Sequence, residues 1–190
     1  QAGVEPAGLV KSLAGALESI DATVREIRSI VSHLRDPGAD EPLPERLRHE
    51  ASAARALLGF APSLVLLLNG QALSSAPQDA NSQAADQLIK PSLGDDLVAV
   101  VREGLSNAGR HASASSVTVT VALTSPDNAN DQPGQVTVLV EDDGVGLPTQ
   151  PSRQSGLANL TDRALARGGQ FKTEPGPGGR GTRLEWTAPL

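Results

Sequence analysis

Four short stretches concentrate residues whose types and spacing could do chemistry. The first, VREGLSNAGRHA at 101–112, places Glu103, Asn107 and His111 at i, i+4 and i+8, with Arg110 beside them. On a helix these share one face. Leu97, Val101, Leu105, Ala108 and Ala112 make the apolar stripe that would face a core. Any solvated helix carries a polar face, so this pattern alone says little. A Glu, an Asn and an Arg in line would nevertheless suit Mg2+ and phosphates. Mg2+ favours oxygen ligands and keeps several waters, so one Asn carboxamide plus phosphate oxygens is a sensible shell.

The second stretch is VLVEDDGVGLP, 138–148, in which a strand runs into Asp143-Gly144-Val145-Gly146. A glycine loop at a strand end lets a ligand approach the backbone closely. The third is SGLANLTDRA, 155–164, where Ser155-Gly156 opens a helix. Free N–H groups at a helix N-terminus favour an anionic phosphate. The fourth is PGPGGRGTRLEW, 175–186, a glycine-rich turn whose Gly181-Thr182 enters the last strand. Taken singly, each is also an ordinary turn or cap.

The elements that must position these residues can be read from periodicity. Val10, Leu13, Leu17, Ile20, Val24, Ile27, Val31 and Leu34 step by 3 and 4 alternately, which predicts one long helix over 9–35 with a coiled-coil-like seam. Pro37-Gly38 ends it. A shorter helix is expected over 42–59, a strand over 63–69, and a polar loop leading towards a helix over 71–90. Ser92 is the expected N-cap of a helix from about 93 to 111. SVTVTVAL (116–123) and QVTVLVED (135–142) alternate as half-buried strands, joined by a turn-rich, mobile loop at 125–134. A helix at 156–167 and short strands at 170–174 and 182–188 complete the chain. Paired neighbouring strands with helices on one face predict an α+β two-layer sandwich rather than a Rossmann arrangement.

Composition narrows the functions. The 190 residues suffice for one globular domain with an appended element. There is no Cys, which excludes disulfides and thiolate chemistry. No apolar run approaches the roughly 18–20 residues of a membrane span. Net charge is −6 and aromatics are 2%, which argues against a stacking surface for nucleic acid. The absence of any Met predicts a fragment or processed chain.

The order of the four stretches is more specific than any one of them. ExxxN on a helix, strand–DxGxG, GL at a helix start, and GxGT entering a strand resemble the ATP-binding domain of the GHKL superfamily, the Bergerat fold. Within it the sequence looks most like sensor histidine kinases that pair with helix-turn-helix, LuxR-type, response regulators. The phrases Val101–Asn107, Arg110-His111-Ala112, Asp143–Leu147 and Gly181–Leu184 resemble the family's N, G1 and terminal Gly boxes. Ile20–Arg28 resembles the second helix of its dimerisation and phosphotransfer domain. The resemblance divides the chain into 1–38, a partial dimerisation domain, and 39–190, the catalytic ATP-binding domain.

The resemblance implies ATP and Mg2+ as cofactors. Asn107 would coordinate Mg2+ on the phosphates. Glu103 would be the catalytic acid/base residue. Arg110 and His111 would lie near the phosphates. Asp143 would accept from the adenine amino group, supported by Thr182. Gly144, Gly146 and Gly156 would let backbone approach the nucleotide, and Ser155, Leu157 and Gly181 complete the implied binding set. Residues 147–155 would be a short lid. Implied partners are a cognate response regulator and a second copy of the full-length protein, with no nucleic acid and no membrane contact by this stretch. A cytoplasmic location is implied, with anchoring of the parent protein left open.

One departure matters. The acceptor histidine of the family sits on a helix that precedes 9–35. His33 does not match the acceptor motif, and His49-Glu50 lies beyond the Pro37 break. Autophosphorylation is therefore not expected unless the acceptor helix is supplied in trans. A GHKL-type ATPase would need extra domains and a longer lid. An anti-sigma-like serine kinase would lack the long N-terminal helix. A non-enzymatic dimerisation module would not need Glu103, Asn107 and Asp143.

Overall fold

The computed structural model describes residues 41–74, 80–127, 131–146 and 155–190. One unit, Pro42–Leu190, contains every element below. The seam of Val10–Leu34, the whole 1–38 segment and most of the expected lid lie outside the described residues.

Helix α1, Leu43–Leu58, buries Leu43, Leu47 and Ala51 and ends where Gly59 adopts φ +81 and donates its N–H to the Arg55 carbonyl. Strand β1, Ser63–Leu68, turns through Asn69-Gly70 into a two-residue β2, Gln71–Ala72. The segment expected to be a loop contains helix α2, Ala80–Leu88, whose Asp86 accepts from the Leu43 N–H at 3.0 Å. Helix α3, Pro91–Asn107, is opened by Pro91 with Lys90 at the N-cap. Ser92 is inside the helix rather than capping it. Proline at the first position has its φ already set and lacks a donor that the first turn would leave unpaired anyway. After Asn107 the chain continues as a π-helical turn, Ala108–Ala112.

Strands β3, Val117–Thr124, and β4, Gln135–Asp142, pair antiparallel in full register. Helix α4 is Ser155–Ala166, followed by β5, Gln170–Pro175, and β6, Thr182–Pro189. The sheet order is β2-β1-β3-β4-β6-β5, antiparallel except for the β1–β3 pair. That parallel pair requires a crossover, which α2 and α3 provide.

Period-2 alternation sorts the faces. Val117, Val119, Val121 and Leu123 of β3, Val136, Val138 and Val140 of β4, and Leu184, Trp186 and Ala188 of β6 are buried. They meet Leu47 of α1, Leu97, Val101 and Leu105 of α3, and Leu160 of α4 in one core. Trp186 is wholly buried, and its indole N–H donates to the Leu160 carbonyl at 3.2 Å, so α4 is tied to the sheet centre. The opposite face carries Lys172, Arg183, Glu141 and Glu185 in ion pairs. The expected α+β two-layer sandwich is what forms.

Ion pairs on two sides fix α3 against its neighbours. Arg46 and Glu50 of α1 pair with Asp95 and Arg102 of α3 at 2.7 and 2.5 Å. Asp96 accepts from both Arg163 and Arg167 at the far end of α4, and Arg167 also donates to the Ser92 carbonyl at 2.6 Å. Ser92 with Arg167, Asp96 with Arg163, and Glu103 with Gly156 run in one antiparallel register along the two helices.

Candidate functional site

The C-terminal part of α3 is pressed onto β4 because Gly104 has no side chain. A Cβ there would lie 2.8 Å from Cγ2 of Val140. This close packing brings Asn107 over the end of β4. The π turn then carries Ala108, His111 and Ala112 along the wall of a cleft. π turns occur often at functional sites because they re-aim side chains that a regular helix would place elsewhere. The cleft is open to solvent, and its polar lining includes Asn107, His111, Asp142, Thr173 and Thr182. Leu157 from the first turn of α4 and Leu184 from β6 supply apolar wall.

Asp142, not Asp143, faces this cleft. Asp142 is the last residue of β4 and falls on the same face as Val136, Val138 and Val140. It is buried, and its Oδ1 accepts from the Gly144 N–H at 3.0 Å and the Thr182 N–H at 3.2 Å. Its Oδ2 accepts no hydrogen bond among the described residues, which leaves an oriented acceptor. Asp143, one residue past the strand end, turns outward and is exposed. Its Oδ1 accepts from the Ser115 and Ser116 N–H groups at 2.8 and 2.9 Å, and its Oδ2 from the Ser115 hydroxyl at 2.5 Å. The expectation that Asp143 meets a ligand is therefore corrected: its acceptor positions are engaged elsewhere. The Ser115 hydroxyl, then the two backbone donors, hold its carboxyl well below the usual carboxylate range. Thr182 supports Asp142 through its backbone N–H rather than Asp143.

The remaining expected positions divide. Asn107, His111, Gly146, Leu157 and Thr182 line the cleft. Glu103 stands beside it, half-buried, with its carboxylate against the start of α4: a Cβ on Gly156 would lie 1.9 Å from Oε1. Arg110 is exposed on the π turn next to His111. Gly144 approaches the Ala112 carbonyl, where a Cβ would lie at 2.1 Å, and Gly181 approaches the Asp142 carbonyl, at 1.8 Å. At both glycines the close approach is to backbone of the protein itself. Ser155 begins α4.

Among the described residues no cluster of three or more His, Asp or Glu could hold a metal. A cation in this cleft would have to arrive with oxygen ligands of its own. Asn107 fits such an arrangement as a single donor. Its amide lines the cleft, and its Nδ2 is buried with no partner. The two ends of a carboxamide are nearly isosteric and exchange places by a half-turn about the terminal bond, so either assignment leaves one oxygen donor on this side chain.

Residues 93–190, from the first turn of α3 to the last residue, match the family described as histidine kinase-, DNA gyrase B-, and HSP90-like ATPase. The chain belongs to that family. It is 36% identical over 88 residues to the nitrate/nitrite sensor protein NarQ of Escherichia coli (strain K12), covering 45% of this chain and 14% of that protein. It is 28% identical over 172 residues to the sensor histidine kinase LiaS of Bacillus subtilis (strain 168), covering 90% of this chain and 44% of that protein. The chain thus spans less than half the length of these relatives. In fold it is similar to the Erythrobacter litoralis EL346 blue-light activated histidine kinase, with a TM-score of 0.52 at 20% identity over 91% of this chain and 50% of that one. The histidine-kinase-type ATPase domain expected from the ordered motifs is the domain present. No described helix is long and apolar enough to cross a membrane.

Proposed function

We propose that the cleft binds Mg2+-ATP and that this unit is the catalytic half of a two-component sensor histidine kinase. The observation that carries the reading is Asp142: a buried carboxylate at a strand end that lines the cleft, one oxygen held by two backbone donors and the other without a hydrogen bond among the described residues. Such an oriented acceptor suits the exocyclic amino group of adenine. A site built to satisfy a substrate donor discriminates strongly against analogues that lack it.

In this reading Asn107 ligates Mg2+, which when bound neutralises charge on the phosphate oxygens. Arg110 and His111 attend the phosphates. Glu103 orients or deprotonates the acceptor imidazole. The imidazole nitrogen attacks the γ-phosphorus, the bond to the β-bridging oxygen breaks, and ADP leaves. The acceptor histidine belongs to a dimerisation helix supplied by another stretch or another chain, and phosphoryl transfer then proceeds to a response regulator of the LuxR type. A homodimeric parent and a cytoplasmic location belong to the same proposal.

The test is calorimetric titration of ATP with and without Mg2+ into the wild-type chain and Asp142→Asn. Affinity for ATP should require Mg2+ and fall at least about tenfold in the variant. Equal affinity in both proteins would remove Asp142 from adenine recognition, and no binding by the wild type would overturn the nucleotide reading.

A further inference from the structure

Asp143 has a set of bonds that nucleotide recognition does not use. Three donors converge on its carboxylate from Ser115 and Ser116. Its own N–H donates to the Ser116 carbonyl at 3.3 Å, and the Val145 N–H donates to the Ala112 carbonyl at 2.8 Å. Between them Gly144 lies so close to Ala112 that a Cβ would sit 2.1 Å from its carbonyl oxygen. Residues 112–116 and 143–145 are thus fastened to each other over their whole length.

The fastened segment is one that would not hold its shape unaided. Ala108–Ala112 is a π turn, and Ser113 follows it at φ 48, ψ 39, in the left-handed region. Both conformations persist only where their surroundings over-determine them. Nothing in the local sequence supplies that constraint: no side chain caps the π turn. The bonds to Asp143 and Val145 do supply it. They act from the loop whose other end carries Asp142 into the cleft.

We infer that Asp143 is a positioning residue, whose carboxylate staples the segment after the π turn to the glycine loop and so sets where His111 stands across the cleft from Asp142. The inference rests on the nucleotide reading for its functional readout. Asp143 touches no ligand. Two consecutive aspartates at one strand end divide the work: the inward one meets the base, and the outward one holds the wall that meets the phosphates. Because the carboxylate is fully engaged by donors, it stays ionised and the staple stays closed across the neutral range.

Four proteins test this: wild type, Asp143→Ala, Asp143→Asn and Asp142→Asn. Each is titrated with Mg2+-ATP well below its melting temperature, and amide hydrogen exchange is followed over residues 108–116 without nucleotide. Asp143→Ala should lose about tenfold in ATP affinity and exchange faster at 108–112, residues that make no bond to Asp143 itself. Asp143→Asn keeps an oxygen for the Ser115 and Ser116 N–H groups and should return affinity to within about threefold of wild type. A lower melting temperature with unchanged ATP affinity would make Asp143 merely structural and overturn the inference. So would an Asn variant as poor as the Ala variant. If Asp143→Ala does not fold, Ser115→Ala, which removes only the hydroxyl donor, should weaken ATP about threefold, and unchanged affinity there would also overturn it. Failure of the wild type to bind ATP would instead sink the nucleotide reading. A loss in Asp142→Asn with none in Asp143→Ala would leave that reading standing and refute the staple.

Discussion

Replacing Gly181 by Ala tests whether the end of β4 is held in place by close backbone packing. Gly181 has φ +70, and an added Cβ would lie 1.8 Å from the Asp142 carbonyl oxygen, 2.6 Å from its carbon and 3.0 Å from Cα of Asp143. The left-handed conformation alone costs a non-glycine residue about 1–2 kcal/mol. The clash adds to this, because all three of these neighbours are backbone atoms. Reaching even a 3.0 Å contact from 1.8 Å requires the Asp142 carbonyl or the Gly181 backbone to move by 1.2 Å, the difference of the two. Overpacking of this kind costs about 1–3 kcal/mol, so Gly181→Ala should lose about 3 kcal/mol in all. For a unit of this size that lowers the melting temperature by about 6–12 °C. The same shift would break the Thr182 N–H bond to Asp142 and re-aim the carboxylate, so ATP affinity should fall at least about tenfold. Gly178 is the control. It has φ +73 but nothing within 4 Å of its Cβ position. Gly178→Ala should carry only the backbone cost, about 2–8 °C, with ATP affinity unchanged. Thermal melts and calorimetry on the pair are decisive. Equal melting temperatures and equal affinities would refute the argument from close approach.

Three further outcomes follow from the same structure. Glu103→Ala should keep ATP affinity within about threefold while losing at least about a hundredfold in phosphoryl transfer to an added acceptor-helix peptide, measured with labelled ATP; transfer at the wild-type rate would remove Glu103 from the chemistry. Asp96→Ala leaves Arg163 and Arg167 without their shared acceptor and should cost about 2 kcal/mol, seen as a melting temperature lower by about 4–8 °C. Asp143 has its carboxyl pKa depressed in the folded state, so its bonds contribute stability that is complete above the unfolded value of about 3.9 and is lost as pH falls below it. The melting-temperature gap between wild type and Asp143→Asn should therefore be flat from about pH 8 to 5 and shrink below about pH 4, and a gap that widens in acid would contradict the assignment.

Most of the element order was legible because the chain's apolar residues repeat cleanly. Val117–Leu123 and Val136–Val140 alternate without a break, and both strands form as expected. The same alternation carried the information that the motif reading missed. Continuing inward from Val136, Val138 and Val140 reaches Asp142, and the DxGxG spacing counted from Asp142 ends on Gly144 and Gly146. Starting the motif at Asp143 shifted the carboxylate by one residue, and in a strand one residue is the opposite face. Helix α2 was read as loop because its nine residues bury only Ser82 and Ala85. Its place is fixed by contact with α1, through Asp86 and Leu43, which no local pattern encodes. The π turn was equally invisible, since Ala108–Ala112 continues an acceptable α-helical pattern. What fastens it is bonding of Ala112, Ser115 and Ser116 to Val145 and Asp143, far along the chain.

The site is assembled from pieces whose positions do not depend on one another's side chains in the cleft. Asp142 is set by the sheet, through Gly181 and the Thr182 N–H. Asn107 is set by the contact of Gly104 with Val140. Glu103 is set against α4 by a register whose other end, seven residues and about two turns away, is the Asp96 clamp. Each anchor is a contact within the protein itself. A cleft anchored in this way has its donors and acceptors oriented before ligand arrives, which lowers the ordering cost of binding.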